Sequence, residues 1–307
     1  MSNSKIVVIG SSNTDMIIQV DRIPVPGETI LGGEFSTAAG GKGANQAVAA
    51  ARAGGNVTFI AAIGDDSFGA EAIEGFRRDN INVDFIKTVD SMASGVALIF
   101  VAKDGENAIA VASGANAALD PEYIMQSANV ISDADILLMQ LESPVETVTR
   151  AAQIAYDAGV KVILNPAPAQ PLDDQLLRMV SILTPNETEA ELLTGIKVVD
   201  QSSASAAAKV LLDKGVDTVI ITLGAEGVFF ADKERQSHIP TYKVDAVDTT
   251  AAGDVFNGAL AAALADNKSI DEATAFANAA AALSVTKLGA QPSAHTLAGI
   301  VSFMNER

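Results

Sequence analysis

The segment Ile136-Leu137-Leu138-Met139-Gln140-Leu141 is followed by Glu142, by an amphipathic stretch over 144–158, and then by Val160-Lys161-Val162-Ile163-Leu164. A short apolar run bounded by polar residues reads as a buried strand, the longer stretch as a helix, and the second run as another strand. The same rhythm recurs on both sides. Runs at 6–9, 57–63, 181–183 and 218–222 read as strands, and 44–53, 68–79, 187–194 and 203–214 as helices. Strands alternating with helices give a parallel sheet covered on both faces, so the expected fold is three-layer α/β/α. Residues 252–307 read as mostly helical.

Two stretches break the rhythm. Residues 14–38 alternate loosely, through Met16 to Val20 and again from Glu28 to Phe35. Residues 95–112 read as a hairpin around Lys103-Asp104-Gly105. Two β segments outside the strand–helix alternation suggest a small separate sheet. No linker, repeat or low-complexity segment interrupts the chain. The expectation is a single α/β domain over residues 1–307, with a β lid formed by about 14–38 and 95–112.

Composition narrows the function. Hydrophobic residues make up 49% of the 307-residue chain and charged residues 19%, enough for a substantial core and too little charge for disorder. Aromatics are only 5% and tryptophan is absent, so Ala, Val, Ile and Leu must build the core. The net charge of −18 argues against nucleic acid and anionic membranes as partners. It also repels nucleotide phosphates, so a phosphate site needs backbone amides, a lysine or a metal ion. With no cysteine, disulfides and thiolate chemistry are excluded. The N-terminus carries no secretory segment and no apolar run is long enough to span a membrane, so the expected location is the cytoplasm. Asn56, Asn186 and Asn267, which match the glycosylation pattern, are then chance matches.

The chemistry concentrates at Val247-Asp248-Thr249-Thr250-Ala251-Ala252-Gly253-Asp254, directly before the apolar run 255–264. That run reads as a helix, which places Ala251, Ala252 and Gly253 at its start. Helix-start amides lack internal partners, and these small side chains leave them open to an anion. Asp254, in the same turn, offers a carboxylate that the helix dipole would keep ionised, able to accept a proton beside the bound anion. An anion cradle next to a base suggests phosphoryl transfer to a hydroxyl. The plain alternative is Asp254 as an ordinary first-turn acid.

Other polar residues fall after the strands: Asn13 and Asp15, Asp65 and Asp66, Glu142, Asn165, Asn186 and Gly224. Open parallel sheets bind ligands at this edge, and the set suits a polyhydroxylated ligand with a nucleotide. Each residue alone could be a cap or turn residue. Gly40-Gly41-Lys42-Gly43-Ala44-Asn45-Gln46 opens a further helix. It lacks the Lys-Ser/Thr pair of a Walker loop and the dinucleotide fingerprint, but Lys42 and Asn45 offer donors to sugar hydroxyls or phosphate. Asn186 and Glu189 cap a helix and could also orient hydrated Mg²⁺ or phosphate. His238 and His295 stand apart, with no metal or triad pattern, and read as surface residues.

Gly40 to Ala47 and Asp248 to Asp254 together resemble the two signatures of the PfkB-type sugar kinases. Met139 to Pro144, Leu164 to Pro168, Thr184 to Glu189 and Gly289 to Ser293 extend the resemblance over the whole chain. It is closest to the members that act on D-ribose. The resemblance implies MgATP-dependent phosphorylation of D-ribose at O5, with Asp254 as base and the amides of Ala251, Ala252 and Gly253 as anion hole. By the same resemblance, Asn13, Asp15, Gly41, Lys42, Asn45 and Glu142 contact the sugar. Asn186, Thr222, Gly224, Gly227 and Asn278 lie at ATP. A monovalent cation, usually K⁺, is held by Asp248, Thr250, Ser284, Lys287, Gly289 and Ser293, and the lid is a homodimer interface. Many relatives carry Gly where Ala251 stands, and often Arg in place of Lys287.

Three other readings remain open at this point. One is a kinase for deoxyribose, fructose or a nucleoside. Another is a non-catalytic sugar or nucleotide sensor, which would not need the Gly253-Asp254 pair. The third is a nicotinamide dehydrogenase, which the missing fingerprint disfavours.

Overall fold

A computed structural model describes residues 4–306. In chain order the strands are β1 (Lys5–Ile9), β2 (Asn13–Val20), β3 (Glu34–Gly40), β4 (Asn56–Gly64), β5 (Ile86–Val89), β6 (Gly95–Ala102), β7 (Asn107–Ala112), β8 (Ile136–Met139), β9 (Lys161–Leu164), β10 (Ile182–Leu183), β11 (Thr218–Thr222), β12 (Val228–Asp232) and β13 (Gln236–Ile239). The α-helices begin with α1 (Lys42–Arg52), α2 (Ser67–Arg78), α3 (Pro121–Gln126), α4 (Ala128–Ser132), α5 (Val145–Asp157) and α6 (Asp174–Leu177). They continue with α7 (Glu187–Thr194), α8 (Gln201–Asp213), α9 (Ala252–Ala265), α10 (Ile270–Ser284), α11 (Ala290–Ser293) and α12 (Leu297–Asn305).

The main sheet runs β13-β12-β11-β10-β9-β8-β1-β4-β5. From β11 to β5 every pairing is parallel, as the strand–helix alternation requires. Its two faces are built by period-two patterning. Ile6 and Val8 of β1 enter one core cluster with Phe59, Phe256 and Leu260, while Val7 and Ile9 enter the other with Leu137 and Val148. Alanines let the helices sit close. A Cβ on Gly258 of α9 would stand 2.6 Å from both Ala49 Cβ and the Gln46 carbonyl of α1, so these two helices touch backbone to backbone. That contact places their N-termini side by side at the carboxyl edge of the sheet.

The second sheet, β3-β2-β6-β7, takes the two stretches that broke the rhythm. β2 runs parallel to β6, and the outer pairs are antiparallel. Asp15 stands opposite Ala97, and Ala97 opposite Val111, so these three residues share one face.

The structure corrects the sequence reading in several places. The stretch from Glu28 to Phe35 is strand only from Glu34, because Gly32 and Gly33 both adopt positive φ (105° each) just before it. β12 and β13 extend the sheet antiparallel, turned back by the tight Gly224–Glu226 loop, and β5 adds an edge strand at the other end. β12 and β13 follow no α-helix, so the alternation gave no sign of them, whereas β5 follows α2 and pairs parallel to β4 as that alternation requires. His295 is not a plain surface residue. Its Nε2 is buried without a hydrogen-bond partner, and burial, then Lys287 and Arg52, hold the ring below its usual pKa. Among the described residues, no helix is long and apolar enough to cross a membrane.

Candidate active site

Helix α9 starts abruptly. Ala251 precedes it in the left-handed region (φ 59°, ψ 14°) with no side-chain cap, and a Cβ on Gly253 would meet nothing within 4 Å. The Thr250 amide donates to Asp248 Oδ1 at 2.9 Å and the Ala252 amide to the Thr249 carbonyl at 3.2 Å. Among the described residues, the amides of Ala251, Gly253 and Asp254 have no hydrogen-bond partner. Of the amides expected to form the cradle, those of Ala251 and Gly253 are open, while the tight turn draws the Ala252 amide inward. These amides face a cleft of about 330 Å³ between the carboxyl edge of the main sheet and the small sheet.

Asp254, in the first turn, is buried at 6% exposure. Asn45 Nδ2 donates to its Oδ2 and Gln46 Nε2 to its Oδ1, each at 3.0 Å. Burial raises its pKa, against the lowering effect of Lys42 and of the two amide donors. This differs from the expectation that the helix dipole would hold the group firmly ionised. Desolvation of the buried carboxylate is the largest cause, and it leaves a more basic oxygen.

Lys42 opens α1 because Gly41 before it takes φ 89° and passes against the backbone of Asn13 and Ser12, where no side chain fits. Burial works to lower the Lys42 pKa, but Asp254, Glu142, Glu189 and Asp15 together raise it. Lys42 is thus the cation among four carboxylates. Glu142 Oε2 accepts from Ser11 Oγ at 2.5 Å and from the Lys42 amide at 2.9 Å, joining the end of β8 to the start of α1. Asp15 on β2 is pushed up to about 6 by burial, with Glu142 and Asp254 adding to the shift and Lys42 opposing it. Asn13 Oδ1 accepts from Asn116 Nδ2 at 2.8 Å.

Asn13, Asp15, Gly41, Lys42, Asn45, Glu142, Asn186, Thr222, Thr250 and residues 251–254 all line the one cleft. Asn186 caps α7 through a reciprocal box with Glu189, and it bridges to Thr222 at the end of β11. Gly224, Gly227 and Asn278 do not line the cleft. Gly224 and Gly227 shape the β11–β12 turn, and Asn278 Nδ2 donates to the Pro240 carbonyl at 2.9 Å.

The segments assigned to a monovalent cation also meet. Asp248 Oδ2 accepts from the Gly289 amide at 2.8 Å, and the Val285 carbonyl accepts from both the Val247 and Asp248 amides. Burial acts to raise the Asp248 pKa, but the hydrogen bonds from Thr250 and Gly289 prevail and lower it. Ser284 and Ser293 are buried and donate to the carbonyls of Ala281 and Ala290. Lys287 is exposed, and its amide donates to the Ser284 carbonyl at 3.1 Å.

Some cleft residues lay outside the expected set. Ile99, Ile109 and Val111 of the small sheet face the cleft, as strand parity with Asp15 could have told. Asn165 and Glu189, both named from the sequence by strand-end position and helix start, line the cleft as well. Gln46, which bonds to Asp254 from outside the cleft, carried only its place in the glycine-rich motif.

The family model described as pfkB family carbohydrate kinase matches residues 3–297. A ribokinase of Haemophilus influenzae is 52% identical over 299 residues, covering 97% of this chain and 98% of that protein. Among solved structures, an Arabidopsis thaliana ribokinase complexed with ribose and ATP superposes with a TM-score of 0.93 at 33% identity, covering 99% of each chain. A Thermotoga maritima ribokinase superposes with a TM-score of 0.90 at 41% identity, covering 98% of this chain and 99% of that one.

Proposed function

The chain belongs to the pfkB family of carbohydrate kinases, and from that membership we propose that it transfers the γ-phosphate of ATP to O5 of D-ribose, giving D-ribose 5-phosphate and ADP. One observation carries the reading. A buried carboxylate, Asp254, stands at a helix start with open amides, in the same cleft as Asp15, Lys42, Asn45 and Glu142.

In this reading Asp254 takes the proton from O5 as that oxygen bonds to the γ-phosphorus. The bond from that phosphorus to the β–γ bridging oxygen breaks, and ADP leaves. The amides at Ala251 and Gly253 hold the charge on the transferring group, a matter of positioning and electrostatics. Asp15 and Glu142 accept hydrogen bonds from sugar hydroxyls, while Asn13, Gly41, Lys42 and Asn45 complete the sugar site. Asn186 and Thr222 face the phosphates of ATP, and Gly224, Gly227 and Asn278 lie toward its adenosine end.

Mg²⁺ bound to ATP would supply charge neutralisation of the phosphates. Among the described residues there is no cluster of three or more His, Cys, Asp or Glu to cage a metal, which suits an ion held largely by phosphate and water, with Asn186 and Glu189 near it. K⁺ would sit among the carbonyl-rich turns between Asp248 and Ser293, where Thr250, Ser284, Lys287 and Gly289 also lie, and would stiffen the turn that leads into α9. The ionised Asp248, tied to both segments, is the feature that supports it.

The small sheet serves as a lid on a single domain over 1–307. Its outer face exposes Phe35 (65%) and Leu98 (50%), an apolar surface suited to a second copy in a homodimer. The expected location is the cytoplasm, where MgATP is supplied.

ADP release measured with MgATP and K⁺ across pentoses, hexoses and nucleosides tests the function. D-Ribose should give the highest kcat/KM. Preference for a hexose or nucleoside, or ADP release indifferent to sugar, would overturn the assignment.

A further inference from the structure

Asp254 is one link in a closed ring of hydrogen bonds that the chemistry above leaves unexplained. Gln46 is fully buried, and its Nε2 donates both to Asp254 Oδ1 and to Asn165 Oδ1, each at 3.0 Å. Asn165 Nδ2 donates to the Thr184 carbonyl at 3.1 Å, Thr184 Oγ1 donates to Asn257 Oδ1 at 2.6 Å, and Asn257 Nδ2 donates to the Gly253 carbonyl at 2.8 Å. Gly253 is bonded to Asp254, so the ring closes. From outside, Gln140 Nε2 donates to Gln46 Oε1 at 2.6 Å.

The geometry fixes every amide in one orientation. At one point of the ring the backbone carbonyl of Thr184 can only accept, so Asn165 must turn its nitrogen there and its oxygen toward Gln46. Gln46 must then present nitrogen to Asn165 and Asp254, and oxygen to Gln140. Were Gln46 flipped, its oxygen would face two other acceptor oxygens. The carbonyl of Gly253 fixes Asn257 in the same way, and Asn257 leaves its oxygen for the Thr184 hydroxyl. Both N–H bonds of the Gln46 carboxamide are used, so it has no donor left for a ligand.

The ring is seated on rigid parts. Gln140, Asn165 and Thr184 directly follow Met139, Leu164 and Leu183, which stand in register across β8, β9 and β10. Gln46 does not line the cleft, whereas Asn45 beside it does.

We propose that Gln46 is the positioning residue for Asp254, with Gln140 holding Gln46 in the one orientation that fixes the Asp254 carboxylate against the sheet edge and ties it to the first turn of α9. This rests on the reading of Asp254 as the base. Asn45 holds the other carboxylate oxygen but belongs to the sugar side, so it would shift with the ligand. Gln46 anchors the base whether or not the cleft is filled.

The test is the substitution Gln46→Met, close in volume and without donors, followed by the pH profile of kcat for ribose phosphorylation. The charged groups that face Asp254 are Lys42 on α1, Glu142 after β8, Glu189 on α7 and Asp15 on β2, and the substitution leaves all four in place. The expected result is a loss in kcat of roughly 10–100-fold with ribose KM within about threefold, the cost of a misaimed group in an otherwise intact site. The acid limb of the kcat profile should move up by about one pH unit, since a donor to the charged form has gone. In an Asp254→Asn background the same substitution should cost no further activity. An unmoved acid limb, or losses that multiply in the double variant, would overturn the proposal while leaving Asp254 as base. A wild type that phosphorylates no ribose would take down the proposal together with that reading. Should Gln46→Met fail to fold, Gln140→Met carries the test, because it leaves Gln46 Oε1 without its donor and loosens the carboxamide that holds Asp254. It should lower kcat several-fold with the same upward shift, and an unchanged profile would overturn the proposal.

Discussion

Asn45 and Asp254, 209 residues apart in the chain, are joined by a 3.0 Å hydrogen bond between two buried side chains. The bond exists because α1 and α9 meet backbone to backbone at Gly258, which brings both helix starts to the same sheet edge. One helix supplies Lys42 and Asn45, and the other supplies the carboxylate and the open amides. Sugar recognition and proton removal are therefore set by a single helix pair.

Ribose binding should depend on pH through Asp15. With its pKa pushed up to about 6, the group is protonated in much of the free protein below that pH, and the carboxylate needed to accept sugar hydroxyls is present above it. Protonation is favoured in the empty cleft, so binding must draw the ionised form and weakens as pH falls. KM for ribose should be flat above about pH 7 and rise toward tenfold per unit well below pH 6, with KM for ATP changing far less. Asp15→Ala should raise the ribose KM at all pH values and abolish this dependence. A ribose KM constant from pH 5 to 8 would remove Asp15 from the sugar site.

Ala251 holds a left-handed conformation that costs an alanine roughly 1–2 kcal/mol relative to glycine. Ala251→Gly also loosens the unfolded chain, which returns part of that gain. The net expectation is stabilisation by about 0.5–1 kcal/mol, read as a higher denaturant midpoint at unchanged slope. Destabilisation would mean that packing around the Ala251 methyl outweighs backbone strain.

The cation proposal predicts a rate that responds to ion identity. Replacing tetramethylammonium by K⁺ at constant ionic strength should raise kcat and tighten ATP, and Asp248→Ala should blunt both effects. Equal rates in the two salts would leave Asp248 with only its turn-holding bonds to Thr250 and Gly289.

Much of this arrangement was legible in the sequence, for physical reasons. Apolar runs such as Ile136 to Met139, too short for a helix, bounded by Asp135 and Gln140 and followed by a helical stretch, read as buried strands. The bare approach to α9 was visible because Ala251, Ala252 and Gly253 carry no side chains that could cap it. The antiparallel edge was hidden, since nothing in Val228 to Asp232 distinguishes a hairpin return from a strand that follows a crossover. The ring through Gln46, Asn165, Thr184 and Asn257 was hidden for a different reason. Asn165 and Thr184 alone fit strand ends, Gln46 and Asn257 lie within helices, and their shared role depends on register across β8, β9 and β10, which only the folded chain provides.

The most direct measurement is steady-state ribose phosphorylation by Asp254→Asn, alongside its melting temperature and nucleotide binding. The substitution keeps the shape, removes the proton acceptor and spares the amides around it. The account predicts an intact fold, ATP binding near that of the wild type, and kcat lower by roughly 10²–10⁴-fold. Turnover within a few-fold of the wild type would contradict it, and would leave Asp254 a buried structural acid at a helix start.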